Sequence, residues 1–240
     1  MLQKKINRFI IFGQGRSGST LLKQLLNSHR DINCEGELLN VKDNYVTNPF
    51  LIKLVNKFPY IFFSLRSLLS TRPVYGFTLL FYQIYQPIHI LQRLQENGWK
   101  IIHITRKNAL EQSLSQLVAK QTSFWHRREE TKDQLPSVYI NPLELSSWLE
   151  GLLANKKREQ KIFDTIKHIE VIYENNLLDN SQWPETTRRL FEFLDVENLP
   201  VDANLRKTYN RPYSEIIENY EELIDEIEKR KLLTSLDEYI

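Results

Sequence analysis

Apolar positions along the chain fall into two kinds of pattern, short solid runs and longer spaced stripes, and the two alternate. Phe9-Ile10-Ile11-Phe12 and Ile101 to Thr105 are nearly unbroken apolar runs of strand length, the pattern of parallel strands covered on both faces. The first half of Val74 to Gln83 and the run Ile169 to Tyr173 predict two further strands. Between them lie helical stripes. Leu21, Leu22, Leu25 and Leu26 form the first, and a second, over about 87–97, ends at the stop signal Asn97-Gly98. Asn108 and Glu111 make a capping box for a helix whose apolar face is Leu110, Leu114, Leu117 and Val118. Asn141, Pro142 and Glu144 open another, with Leu145, Trp148, Leu149, Leu152 and Leu153 as its stripe. Residues 184–194 turn Leu190, Phe191 and Leu194 inward, and Ser214 opens a last helix carrying Ile216, Ile217, Tyr220, Leu223, Ile224 and Ile227. Alternating strands and capped helices predict an α/β domain with a mostly parallel central sheet flanked by helices.

The connection from the first strand to the first helix concentrates chemistry. Gly13, Gly15 and Gly18 are three of the chain's seven glycines, and glycine permits the positive φ angles and close backbone approach of a phosphate-cradling loop. Arg16, Ser17, Ser19 and Thr20 add a fixed charge and hydroxyls where a helix N-terminus collects unpaired N–H groups and partial positive charge. This is an anion site suited to a phosphorylated nucleotide. Three loops have this look. Gly13-x-Gly15-x-x-Gly18, with Glu37 about 20 residues on, matches the dinucleotide fingerprint of an oxidoreductase binding NAD(P). A Walker A loop needs a lysine where this chain has Ser19, which argues against an ATPase or GTPase. The third is taken up below.

Composition narrows the field. With 240 residues, 41% hydrophobic and 26% charged, the chain predicts one soluble domain over residues 1–240. A net charge of +2 supplies no footprint for a nucleic-acid surface. The single cysteine, Cys34, forbids an intrachain disulfide and suits a reducing compartment, here taken as the cytoplasm. The first strand follows MLQKKINRF with no apolar leader. Phe50 to Leu69 is interrupted by Lys53, Lys57, Pro59 and Arg66, so it predicts no membrane span and leaves peripheral contact open. Residues 40–73 are broken by Pro49, Pro59 and Pro73 and predict two short helices, about 50–57 and 60–70, forming a cap.

Other polar residues divide into candidates and background. Arg106 and Lys107 emerge at the C-terminal end of a strand, where ligands bind in open α/β sheets. Ser113 and Ser115 lie off the apolar face of the helix that follows, which by itself predicts helix surface. Gly36 between Glu35 and Glu37 predicts a loop beside the first helix. Tyr75, Phe77 and Tyr82 read as core, and Lys156-Lys157-Arg158 as a solvated helix face. His29, in a helix-stop turn, and His103, inside a strand, read as structural, and each is also a candidate base.

The loop GRSGSTLL resembles the 5′-phosphosulfate loop of sulfotransferases that use 3′-phosphoadenosine-5′-phosphosulfate (PAPS), in which a Lys or Arg precedes Ser-Gly-[ST]-[ST]. TRKNALEQSLS resembles the 3′-phosphate element of the same family, with Arg106 and Ser115 at the matching positions and Ser113 the alternative. QTSFWH is similar to the QTGVWH-like run of the bacterial carbohydrate branch, with Ser123 in place of glycine. The family's Arg-Lys-Gly pattern is absent, since Thr208 follows Lys207. The resemblance implies a P-loop-like, sulfotransferase-like fold and transfer of a sulfuryl group to a hydroxyl of a carbohydrate or other small acceptor. It implies PAPS, with adenosine 3′,5′-bisphosphate as product, held by Gly15, Arg16, Ser17, Gly18, Ser19, Thr20, Arg106 and Ser115. It also implies Arg16 and Glu37 as catalytic residues, Glu37 as the base, and no metal. An NAD(P)-binding oxidoreductase and a nucleotide-binding protein without turnover are the alternatives. Acceptor and oligomeric state are not legible.

Overall fold

The computed structural model of the chain describes residues 6–40, 55, 57–125, 127–128, 136–203, 205–206 and 211–232. In chain order the first elements are β1 (Asn7–Gly13), α1 (Ser19–Asn27), β2 (Ile32–Glu37), α2 (Pro59–Ser67), β3 (Val74–Leu80), α3 (Pro87–Glu96) and β4 (Trp99–Thr105). Then follow α4 (Ala109–Thr122), β5 (Arg127–Arg128), α5 (Pro142–Phe163), β6 (Ile169–Ile172), α6 (Tyr173–Asn176), α7 (Trp183–Leu194), β7 (Leu205–Arg206), α8 (Tyr213–Ile216) and α9 (Tyr220–Lys229). The chain divides into two compact units, Met1–Thr105 with Lys161–Ala203, and Arg106–Gln160 with Asn204–Ile240.

The first unit is built on five strands in the order β2-β3-β1-β4-β6, every neighbouring pair parallel. The solid apolar run of β1 has a direct cause: Phe9 and Ile11 enter one core with Leu22, Leu25 and Leu26 of α1 and Leu190, Phe191 and Leu194 of α7. Ile10 and Phe12 enter the other, with Phe63 of α2, Leu91 and Leu94 of α3 and Phe77 of β3. Successive side chains on a strand point to opposite faces, so a strand covered on both has no position left for a polar residue. Gly76 of β3 makes room for this packing, since a Cβ there would lie 2.3 Å from the ring of Phe9. The strand order bears on the nucleotide question. In the dinucleotide-binding fold β2 lies directly beside β1, which brings the acidic residue after β2 to the ribose. Here β3 separates the two, so the fingerprint spacing of Gly13, Gly15, Gly18 and Glu37 has lost the topology that gives it meaning.

Several local expectations change. Glu35 and Glu37 belong to strand β2, not to a loop, and the pairing with β3 slips by one residue at Gly36: Glu35 lies opposite Phe77 and Glu37 opposite Thr78. Tyr82 is no core residue; it is 68% exposed, while Tyr75 and Phe77 are buried. Of the expected cap, residues 41–54 and the greater part of the helix over 50–57 lie outside the described residues, and α2 accounts for the second helix.

The second unit has a helical core in which Leu114, Leu117 and Val118 of α4 meet Leu145, Leu149 and Leu153 of α5 and Ile216, Leu223 and Ile227. A two-stranded antiparallel pair, β5 with β7, accompanies it. Trp148 departs from the predicted α5 stripe and is exposed. The single last helix predicted from Ser214 is two, because Ile217 is extended and bridges to Val138. No described helix is long and apolar enough to cross a membrane.

Candidate functional site

β1 ends at Gly13 because no side chain fits there: a Cβ would lie 2.2 Å from the carbonyl oxygen of Ile104 on β4. The chain turns through Gln14 and Gly15 to Arg16, whose φ of 62° lies in the left-handed region that non-glycine residues avoid. Strain of this kind persists where the surroundings over-determine the backbone, and it gathers at ligand-binding loops. Ser17 is fully buried and its hydroxyl donates to the carbonyl of Gln14 at 2.8 Å. Its side chain therefore closes the loop. Gly18 is required twice over, by a φ of 94° and by the ring of Tyr173, whose Cδ2 lies 2.6 Å from where a Cβ would stand.

Gly18 is also the N-cap of α1, and no side chain caps that helix. The first intrahelical bond runs from Leu22 N–H to the Gly18 carbonyl at 3.0 Å, so the N–H groups of the first turn lack helical acceptors. Ser19 is buried and Thr20 half-buried beside them. Gly15 is different in kind. It needs no positive φ, and a Cβ would find only Tyr82 Cε1, at 4.0 Å. The protein's own packing does not demand glycine there.

Glu37 stands at the end of β2, and the turn Phe81–Gln83 after β3 connects its surroundings with the loop. Gln83 Nε2 donates to Glu37 Oε2 at 2.7 Å. The Tyr82 ring flanks Gly15, and its phenol is pushed above the usual tyrosine range by burial and by the charge of Glu37. Glu35 is occupied otherwise. Arg66 of α2 grips it with Nε and Nη2, at 3.1 and 2.9 Å, and the Tyr75 hydroxyl donates to it at 2.8 Å. Those bonds raise the guanidinium above its ordinary value, while burial and then Glu35 push the Tyr75 phenol up. Lys23 of α1 reaches the bulge, its Nζ 3.7 Å from where a Gly36 Cβ would be.

Both histidines lie in the interior. His29 is buried, with Nε2 on the Glu197 carbonyl, Nδ1 accepting from Asp31 N–H, and its ring against Phe191. His103 is buried, with its ring stacked on Phe163 at 3.7 Å between centroids.

Arg106 and Ser115 fall in the second unit. Arg106 is only 7% exposed, with Nη2 on Glu111 Oε2 at 2.7 Å. Glu111 is itself fixed, its N–H donating to Asn108 Oδ1 at 2.9 Å as the cap of α4. Lys156, expected to be solvated, donates to the carbonyl of Arg106. Ser113 and Ser115 are buried, not surface, residues. Ser123, where the resembling run has glycine, ends α4 with a φ of 57°, the conformation glycine adopts most readily. Lys207 lies outside the described residues. Among the described residues no group of three or more His, Cys, Asp or Glu is placed to hold a metal ion.

The sequence reading gave no site role to Gln83, Arg66 or Lys23 and took Tyr82 for core, because none has a signature of its own; the turn after β3 brings Tyr82 and Gln83 to the loop and to Glu37, and helices α2 and α1 bring Arg66 and Lys23 to β2.

Residues 8–73, which hold the loop and both glutamates, match the model of the sulfotransferase family. Nodulation protein H of Rhizobium tropici is 27% identical over 176 residues, covering 72% of this chain and 70% of the relative. Among solved structures, a sulfotransferase from Alicyclobacillus acidocaldarius superposes with a TM-score of 0.50 at 17% identity, covering 95% of each chain. At that identity the likeness speaks for the fold. Taken with the loop and the parallel sheet, these matches make the chain similar to sulfotransferases, in sequence over residues 8–73 and in fold over most of its length.

Proposed function

We propose that this sulfotransferase moves a sulfuryl group from PAPS to a hydroxyl of a carbohydrate or other small acceptor, without a metal. The observation that carries the reading is the uncapped N-terminus of α1 behind a loop whose Gly15 leaves the backbone open. The residues fit the donor's chemistry. First-turn N–H groups, Ser19, Thr20 and Arg16 would hold the 5′ end, and Arg106 with Ser115 the 3′-phosphate. When bound, PAPS supplies a sulfuryl group on a phosphate leaving group, displaced in line by the acceptor oxygen. Arg16 and the loop N–H groups then offset the charge that develops on the departing oxygen. Glu37 takes the acceptor's hydroxyl proton onto its carboxylate. The acceptor class rests on the resemblance of QTSFWH to the bacterial carbohydrate branch, and the likeness to nodulation protein H is consistent with it.

Ligand-dependent melting tests the donor. Adenosine 3′,5′-bisphosphate at about 100 times Kd should stabilise the protein by about 2.7 kcal/mol, a shift of about 5–10 °C for a chain of this size. AMP should give less, NAD and ATP little, and magnesium should not be needed. Equal shifts with NAD would sink the reading. Incubation with 35S-labelled PAPS and a panel of sugars and lipids tests turnover; label transferred to none of them would favour a nucleotide-binding protein without activity.

A further inference from the structure

We infer that Gln83 is a positioning residue that holds Glu37 in place as a hydrogen-bond acceptor for the incoming hydroxyl's proton; this rests on the reading of Glu37 as the base. The side chain of Gln83 is fixed at both ends. Its Oε1 accepts from Leu80 N–H at 2.9 Å, and its Nε2 donates to Glu37 Oε2 at 2.7 Å. A backbone N–H only donates, so it selects the oxygen end of the amide and leaves the nitrogen end facing the carboxylate. The orientation is therefore set by Leu80, the last residue of β3, which pairs in register with Gly13 at the foot of the phosphate loop. Through this amide one carboxylate oxygen of Glu37 is referred to the same sheet register that places the loop.

The need for such a tether follows from the bulge. At Gly36 the pairing of β2 with β3 slips, and Glu37 lies on the far side of it at the strand's end. A strand end beyond a bulge has less of the ladder to define it, and a side chain there is re-aimed by whatever bonds it finds. Glu35, on the near side, is held by Arg66 and Tyr75. An arginine in the place of Gln83 would engage the carboxylate as an ion pair, whereas a neutral amide donates one hydrogen bond and leaves the charge in place. A neutral donor of this kind orients a carboxylate without pairing it to a cation of its own.

The discriminating variant is Gln83→Glu. It keeps an oxygen acceptor for Leu80 N–H and replaces the donor by a carboxylate that faces Glu37 with like charge. Transfer of 35S from PAPS is measured with the acceptor found by the panel above. Turnover should fall about 10²-fold, the loss expected when a catalytic group is displaced by about 1 Å. The KM for PAPS and the melting temperature should stay near wild type. The second arm places Gln83→Glu, and separately the apolar isostere Gln83→Met, on Glu37→Gln. A residue acting only through Glu37 should then cost less than about threefold further. Gln83→Glu retaining more than about a third of wild-type turnover, or costing the same factor in both backgrounds, would overturn the inference. The two failures are distinct. If Glu37→Gln itself keeps its activity, the base assignment is wrong; if Glu37→Gln is inactive while the Gln83 variants work, only the tether is.

Discussion

Glu35 and Glu37 share a strand, a residue type and a neighbour in Gly36, yet the fold treats them oppositely. Glu35 receives three hydrogen bonds, two from Arg66 and one from Tyr75, and through Arg66 it ties α2 to the edge of the sheet. Glu37 meets a neutral amide, Gln83 Nε2, and lies by a turn that flanks the phosphate loop. A carboxylate gripped in a bidentate ion pair is a poor proton acceptor and a good fastener. The amide of Gln83 gives Glu37 a hydrogen bond without an opposite charge. The difference lies in the partners, and the partners come from residues 66, 75 and 83, well outside the motif.

The largest expected contrast is in turnover. Glu37→Gln should lower it by roughly 10²–10⁴, with melting temperature and bisphosphate affinity near wild type. A variant that folds normally and keeps more than about a tenth of its activity removes Glu37 as the base. Arg66→Ala should do the reverse. Hydrogen bonds to charged groups contribute about 1.5–3 kcal/mol each when buried. Arg66 and Glu35 are 33% and 18% exposed, so a total near 2 kcal/mol is expected after screening. That is a fall of about 4–8 °C in Tm, with turnover retained at temperatures below the transition. A stable Arg66→Ala protein with no turnover would exchange the roles of the two glutamates.

Tyr75→Phe probes the same fastener more gently, removing one hydroxyl for about 1 kcal/mol. It also has a pH signature. The Tyr75 phenol is raised in the folded state by burial and by Glu35. Its stabilising contribution is therefore complete below the unfolded value of about 10 and is lost as pH rises from there toward the folded value. Alkaline melting curves of Tyr75→Phe should fall less steeply than those of wild type. Equal slopes would mean that another group controls alkaline unfolding. The smallest effect is expected at the bulge itself. A Cβ on Gly36 would meet Lys23 Nζ at 3.7 Å, an ordinary contact, and Gly36 is not among the residues with positive φ. Gly36→Ala should change stability by less than about 0.5 kcal/mol. A loss of several kcal/mol on equilibrium denaturation would show that the bulge depends on glycine.

The matched pattern of β1, the loop and α1 could be read from the sequence because its determinants are local and repeated. An apolar run states double burial, three glycines state backbone constraint, and a helical leucine stripe states where the N–H groups converge. Even there the sequence did not separate the glycines: Gly13 and Gly18 are filled around by Ile104 and Tyr173, and Gly15 is not. Ser17 looked like a phosphate donor and turns its hydroxyl to Gln14 instead. Arg106 was legible as the residue after a strand, but its pairing with Glu111 and the Lys156 bond to its carbonyl were hidden. For Ser115 the stripe of Leu110, Leu114, Leu117 and Val118 by itself predicts helix surface, because it accounts for one face only, and α4 is covered on more than one.

By itself, then, the sequence determined the elements, their alternation, the glycine-rich loop and the family resemblance, since each depends on residues within a few positions of one another. Only the tertiary structure decided that β3 lies between β1 and β2, that Glu35 is a fastener and that Gln83 holds Glu37. Strand order and hydrogen-bond partners join residues about 30–50 positions apart by packing. No local period or spacing encodes which strand will be a neighbour.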